Sequence, residues 1–301
     1  MRNDIEFAGF GGTTLRGWLY VPEMPLPAPA IVMAHGFSAV KEMALDRFAQ
    51  VFCDAGLAVL VYDHRNLGAS DGMPRQEINI WAQARDYRYA IGWIAGRPEV
   101  DADRIAIWGS SFSGGEVIVV GACDPRVKAV VANVPFGGLP GIEYAQLPDT
   151  FEVIRNNLYD ESGSGLADAS GEIMGPFAVV DEEDNDLPIF LDQPEAREWF
   201  LKYGRTPGSR WENHVTVRNS FGTEPAFDPG MCIHHLSPKP LLMLVATQDH
   251  LADTAVSIAA FERAGEPKRL EMINGDHFAD YQGQGFVQAS TVMRDFLLEH
   301  L

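Results

Sequence analysis

Cysteine is scarce in this chain: three in 301 residues, Cys53, Cys123 and Cys232, widely spaced. That excludes a disulfide framework and a cysteine-built zinc knot. Cys53 and Cys123 fall in apolar stretches of helical period, where a thiol behaves as a small hydrophobe. Positive charge is also short, with 23 Lys and Arg against 42 Asp and Glu and a formal charge of −19. Such a balance argues against nucleic acid and anionic membrane surfaces as partners. No apolar run approaches a membrane span, and the start, Met1-Arg2-Asn3-Asp4-Ile5, has no apolar signal core. A cytoplasmic location is therefore expected. What remains is 46% hydrophobic and 22% charged, the make-up of a globular domain with a sizeable core.

Residues 5–8 and 14–21 predict an antiparallel edge hairpin, and Pro22, Pro25, Pro27 and Pro29 then forbid regular structure. Short apolar runs at 30–34, 58–62, 104–108, 129–133, 240–246 and 270–273 read as strands, the central ones buried on both faces. Helical period fills 41–55, 80–95, 253–264 and 286–299. In the last of these Phe286, Ala289, Val292, Met293, Phe296 and Leu297 form one core-facing stripe. The alternation predicts an α/β fold, a mostly parallel sheet with helices on both faces.

The pattern breaks over 134–236. A core domain of 1–133 and 237–301 is expected, with 134–236 inserted as a helical cap above the carboxyl end of the sheet, where open α/β sheets take their ligands. Helices are expected near 140–158, 194–203 and 209–219. No Lys or Arg lies between Arg155 and Arg197, while Asp160, Glu161, Asp168, Glu172, Asp181, Glu182, Glu183, Asp184, Asp186 and Asp192 accumulate. The cluster at 181–186 reads as a solvated loop rather than a cation site, because its charges are too close in sequence to converge.

The chemistry centres on Gly109-Ser110-Ser111-Phe112-Ser113-Gly114-Gly115, which joins a buried strand directly to a helix. A serine at such a corner is a nucleophile elbow: strained backbone lifts the hydroxyl above the sheet edge, and the flanking positions must be small. Ser111 and Ser113 both meet the size rule. Gly109 follows the strand directly, which puts Ser111 at the corner and Ser113 in the first helical turn. A serine needs a base to take its proton, and the base needs a third group to hold its tautomer. His277, in the turn after the last strand, can reach across as base, and Asp249, at the end of strand 240–246, is the expected acid. Asp276 reads as a turn-former and Asp253 as a helix N-terminal residue. His64 and His250 read as wall residues. His234 and His235 are adjacent, so their side chains are expected to diverge without pairing on a metal. The backbone N–H groups of Phe112 and Phe37 are the expected oxyanion donors, with Gly36 allowing close approach. His35, Gly36, Phe136 and Tyr144 are expected at the substrate pocket, and Phe151, Phe177, Phe190 and Trp211 add apolar surface to the cap. No metal or cofactor is expected.

Residues 1–133 and 237–301 resemble the α/β-hydrolase superfamily. The resemblance is carried by His35-Gly36-Phe37, Tyr62-Asp63-His64-Arg65-Asn66-Leu67-Gly68-Ala69-Ser70-Asp71-Gly72, the elbow, Asp249 and Gly275-Asp276-His277. More narrowly, His35-Gly36-Phe37-Ser38-Ala39-Val40-Lys41-Glu42-Met43 is similar to a subgroup near dienelactone hydrolases and Xaa-Pro peptidase-like hydrolases, which includes fungal polyketide acyltransferases. The resemblance implies an acyl-serine intermediate with Ser111, Asp249 and His277 in triad roles. Ser113 stands where the commonest elbow has glycine. The expected function is a serine hydrolase cleaving a small-molecule carboxylic ester or thioester. The alternative is an acyltransferase passing the acyl group to an alcohol, amine or thiol. Carbon–carbon bond hydrolysis and a non-catalytic binding role are further readings. The sequence carries no signature of the acyl group or of oligomeric state, monomer or homodimer.

Overall fold

The computed structural model describes residues 1–161, 171–183, 185–220 and 222–301; Asp168 and Asp184 of the acidic run lie outside them. The chain opens with a hairpin, β1 (Arg2–Ala8) and β2 (Thr14–Tyr20), followed by β3 (Ala28–Ala34), α1 (Leu45–Asp54) and β4 (Ala58–Tyr62). A two-residue strand, β5 (Glu77–Ile78), precedes α2 (Ile80–Ala95). Then come β6 (Val100–Ser110), α3 (Phe112–Cys123) and β7 (Val127–Asn133). The irregular stretch holds α4 (Phe151–Tyr159), β8 (Glu172–Phe177), α5 (Pro194–Gly204) and β9 (Val215–Asn219). The regular alternation resumes with β10 (Leu241–Ala246), α6 (Thr254–Arg263), β11 (Lys268–Ile273) and α7 (Gly283–His300).

Eight strands form one sheet in the order β1-β2-β4-β3-β6-β7-β10-β11. The first hairpin is antiparallel to its neighbours, and every pairing from β4 to β11 is parallel. Alternation along β3 explains the two layers around it. Ile31 and Met33 face α1 and α7 with Phe48, Phe52 and Phe296, while Ala30, Val32 and Ala34 face α2 and α3 with Tyr87, Ile91 and Val117. Both faces are apolar, so the strands read as unbroken hydrophobic runs, as expected of a sheet covered on both sides.

The stretch 134–236 differs from the expected all-helical insertion. Only 151–159 of the expected helix 140–158 is α-helical, after a 3-10 turn at Tyr144–Gln146. The expected helix 209–219 is a strand: β9 pairs with β5 and β8 in a second, three-stranded sheet. Trp211 and Val215, four apart, mimic helical period. The β-branched run Val215-Thr216-Val217 favours an extended backbone instead. Arg218 then clamps β9 to β5 through a bidentate pair with Glu77 at 2.9 and 2.7 Å. Among the described acidic residues, Asp181 faces Arg197 and Glu182 faces Arg205 at the surface.

A buried ion pair locks the amino-terminal half. Arg65 Nε donates to Asp86 Oδ2 at 2.6 Å and its Nη2 to Oδ1 at 2.7 Å, while Asp86 also accepts the Phe10 N–H. Both side chains are almost wholly buried. Removing one partner strands the other charge in a low-dielectric interior. Asp86→Ala is therefore expected to lower the unfolding free energy by about 3–5 kcal/mol, measured by urea denaturation followed by circular dichroism.

Candidate active site

Strand register brings the candidate residues to one edge. Ala34 of β3 pairs with Gly109 of β6, Ser110 with Asn133 of β7, and Ala246 of β10 with Ile273 of β11. The loops after β3, β6, β10 and β11 therefore leave the sheet side by side at its carboxyl edge. They carry Gly36-Phe37, Ser111, Asp249 and His277.

Ser111 sits between β6 and α3 with φ 57° and ψ −116°, a conformation that L-residues avoid. Its N–H donates to the Asn133 carbonyl at 2.8 Å, and its own carbonyl accepts from Phe136 N–H at 2.8 Å. The chain leaving β7 thus holds the strained corner in place. Crowding explains the small neighbours. A side chain at Gly109 would strike the Ser113 carbonyl, and one at Gly36 would meet Ser111 Cβ at 2.9 Å. The Ser111 N–H is engaged with β7 rather than turned to the cavity. Phe112, as the first helical residue, has no carbonyl one turn earlier within α3 to accept its N–H.

His277 Nδ1 lies 2.6 Å from Asp249 Oδ2, both side chains buried. Burial alone would raise the Asp249 pKa. The His277 contact and the N–H groups of Ala252 and Leu251 outweigh it, so the carboxyl sits below its ordinary range. Ser111 and His277 wall the same cavity, of about 200 Å³, whose lining is mostly aromatic and aliphatic. Asp276 accepts the Phe278 N–H as a turn-former, and Asp253 caps α6.

The loop after β3 is fixed from behind. His35 Nε2–H donates to the Met43 carbonyl at 2.7 Å, and its Nδ1 accepts the Gly36 N–H at 3.1 Å. Burial drives His35 down to about 4, which keeps it neutral in that tautomer. Lys41 pairs with the buried Asp63 at 2.6 Å, and Asp63 also accepts the Ala69 N–H, joining the loops after β3 and β4. Ser113, the departure from glycine, donates its hydroxyl to the His35 carbonyl at 2.5 Å. Its oxygen lies 2.8 Å from His64 Nε2 and 2.9 Å from Glu116 Oε2. Burial lowers His64 to about 3, so it faces that oxygen as a neutral imidazole, and raises Glu116, whose Oε2 is a second acceptor within reach of the Ser113 hydroxyl, well above the carboxylate range. Helix α3 and the loop after β3 are hydrogen-bonded to each other through Ser113.

His35, Gly36, Phe37, Phe112 and Phe136 line the cavity, but Tyr144 does not. The Tyr144 hydroxyl is bound to Asp228 at 2.8 Å and lies in a separate cleft, because the 140–147 stretch folds away as a 3-10 turn instead of continuing a helix. Phe190 lines the cavity, whereas Phe177 packs against Phe190, Phe151 stacks on His235, and Trp211 packs on Phe200. His64 is buried beneath the elbow and His250 is exposed, so neither is a wall residue. His234 and His235 do not diverge; their ring centroids are 4.1 Å apart. Trp199 and Phe200 of α5, with Phe278 and Tyr281 after β11, form cavity walls that the sequence reading passed over. The adjacent aromatics of α5 were the available signal.

A mostly parallel sheet covered on both faces, with a serine at the strand–helix corner and an acid–histidine pair beyond the later strands, is the α/β-hydrolase fold, and the chain is an enzyme of that type. It belongs to the X-Pro dipeptidyl-peptidase (S15) family, whose model matches residues 11–279. It is 42% identical over 321 residues to the thiohydrolase apmlB of Arthrinium phaeospermum, covering 98% of this chain and 96% of that one. It is 29% identical to the polyketide transferase grgF of a Penicillium species, covering 100% and 97%. The crystal structure of the α/β hydrolase GrgF from Penicillium sp. sh18 superposes with a TM-score of 0.76 at 29% identity, covering 100% of this chain and 99% of that one. These relatives place hydrolase or acyltransferase activity on this scaffold.

Behind the site, Asp280 is fully buried and accepts from Asn133 Nδ2 at 2.5 Å. Burial raises its pKa to about 7, against the lowering effect of Asn133. An unfolded aspartate titrates near 4. Between about pH 4 and 7 the folded protein keeps a proton that the unfolded chain has released, so stability falls as pH rises through that window. Asp280→Asn is expected to flatten this slope, read as unfolding free energy in urea across the same range; a variant with the wild-type slope would contradict the assignment.

Proposed function

We propose that this enzyme cleaves a carboxylic ester or thioester of a small apolar acid through an acyl-serine intermediate. Ser111 Oγ attacks the carbonyl carbon as His277 Nε2 takes its proton. The backbone N–H groups of Phe37 and Phe112 receive the developing oxyanion. His277 then returns the proton to the departing alcohol or thiol. A water deprotonated by the same imidazole releases the acid and frees Ser111. Asp249 holds Nδ1–H and steadies the imidazolium. The observation that carries the reading is the 2.6 Å contact between buried His277 and Asp249, with His277 and the strained Ser111 walling one cavity. In this reading 1–133 and 237–301 are the core and 134–236 is the cap. Phe190, Trp199 and Val217 from that stretch support it by facing the same cavity as Ser111.

Transfer of the acyl group to an alcohol, amine or thiol is the second reading. The relative named as a polyketide transferase and the apolar lining, which holds water poorly, favour it. Free acid and transfer product measured with increasing acceptor separate the two. A product ratio unmoved by every acceptor leaves hydrolysis.

Ser111→Ala is expected to abolish both turnover of p-nitrophenyl esters and labelling by a fluorophosphonate probe. Label found on Ser113 would overturn the register of the elbow. Gly36→Ala is expected to push the Phe37 N–H away from the elbow and lower kcat by about 10²-fold, with KM little changed, in steady-state assays of the same esters.

A further inference from the structure

Remote from the cavity, Asp149, His234 and His235 each bring a metal-ligating atom to within 4.8 Å of the others. The carboxylate stands just before α4, and the histidines occupy the 3-10 turn Ile233–Leu236, which packs against α3 and α6. Asp149 Oδ2 lies 3.0 Å from His235 Nε2. Its other oxygen accepts the Phe151 N–H at 2.9 Å, which turns Oδ2 toward the histidines. The Phe151 ring stacks on His235 at 4.0 Å and 13°, fixing the imidazole plane. Such outer contacts are what orient ligands in metal sites. An adjoining cleft of about 320 Å³, lined by Asp149, His234 and Tyr144, leaves room for further ligands. Arg263 shares that cleft, but its guanidinium lies over the Tyr144 ring at 4.0 Å.

We propose that Asp149, His234 and His235 bind a divalent transition ion of the zinc class. Two imidazoles and one carboxylate suit such an ion, whereas magnesium and calcium call for oxygen donors throughout. Tetrahedral zinc with bonds near 2.0–2.1 Å sets its donors about 3.3 Å apart. The Asp149–His235 pair, at 3.0 Å, is close to that spacing, and His234, whose ligating atom lies within 4.8 Å of both, closes the site by a side-chain rotation. An ordinary surface ion pair accounts for Asp149 and His235 but gives no reason for His234 to join them. The bound ion would clamp the segment before α4 to the turn beneath α3. None of this depends on the proposed chemistry at Ser111.

The test is calorimetric titration of the full chain with Zn²⁺, with Mg²⁺ and Ca²⁺ as controls, alongside thermal unfolding. One equivalent of Zn²⁺ is expected to bind in the micromolar range and raise Tm with concentration, while the two controls give neither effect. Asp149→Asn, which keeps an acceptor for the Phe151 N–H, and His234→Ala are each expected to weaken Zn²⁺ binding by about tenfold or more and to remove the Tm shift. Zinc binding unchanged in His234→Ala, binding absent in the wild type, or equal response to Mg²⁺ would each overturn the proposal. Far-UV circular dichroism and urea unfolding of both metal-free variants at wild-type levels would show that they fold, so a lost zinc signal is then the lost site.

Discussion

The backbone of Ser111 is held where an L-residue does not rest by itself, at φ 57° between strand β6 and helix α3. Two hydrogen bonds to the chain leaving β7, from its N–H to Asn133 and to its carbonyl from Phe136, offset a strain of order 1–3 kcal/mol. The rest of the molecule supports that arrangement. Parallel pairing of β3, β6 and β7 brings their carboxyl ends level. The aromatic packing of Trp108 against Phe48 stiffens the sheet beneath, and Gly109 and Gly36 remove the side chains that would force the corner open.

The buried polar groups around the elbow follow from the same constraint. A loop packed this closely against the Ser111 corner buries its own carbonyls, and those need donors. The His35 carbonyl receives Ser113 Oγ–H, with His64 alongside, and Asp63 gathers Lys41 and Ala69. Neutral His64 fits this interior as a hydrogen-bonding group without net charge to desolvate, and the same cost of burying charge raises the Glu116 pKa. A serine at 113 is thus more than a small residue tolerated in a tight turn. It is the link by which α3 and the loop after β3 keep a fixed separation.

The cavity above the elbow is built differently. Its floor comes from loops at strand ends, while Phe190, Trp199, Phe200 and Val217 come from the irregular stretch between β7 and β10. Aromatic walls select by shape and apolar area, with few polar groups to fix orientation. This division matches relatives that share the scaffold while carrying names as different as thiohydrolase and polyketide transferase.

Local patterns made much of this legible. Continuous apolar runs bounded by turn residues marked the parallel strands, and β-branched runs followed directly by Gly-Ser-Ser marked the corner. His277 and Asp249 were legible as loop residues just past strands that must lie in one sheet. The irregular stretch was harder: Trp211 and Val215 gave a helical spacing for what is β9, since only pairing with β5 and the Arg218–Glu77 clamp favour the extended form. Tyr144 was assigned to the pocket by its aromatic character, whereas its hydroxyl is tied to Asp228 in another cleft.

The sequence by itself determined the sheet, its order of strands and helices, and the residue types at the corner, because periodicity and backbone sterics are local properties. Only the tertiary structure decided that Ser113 bonds across to the His35 carbonyl, that Trp199 reaches the cavity, and that Asp149 meets His235, 86 residues away, with His234 beside it. Those contacts join segments whose separation along the chain carries no signal of their separation in space. They exist only once the sheet has fixed where each loop begins.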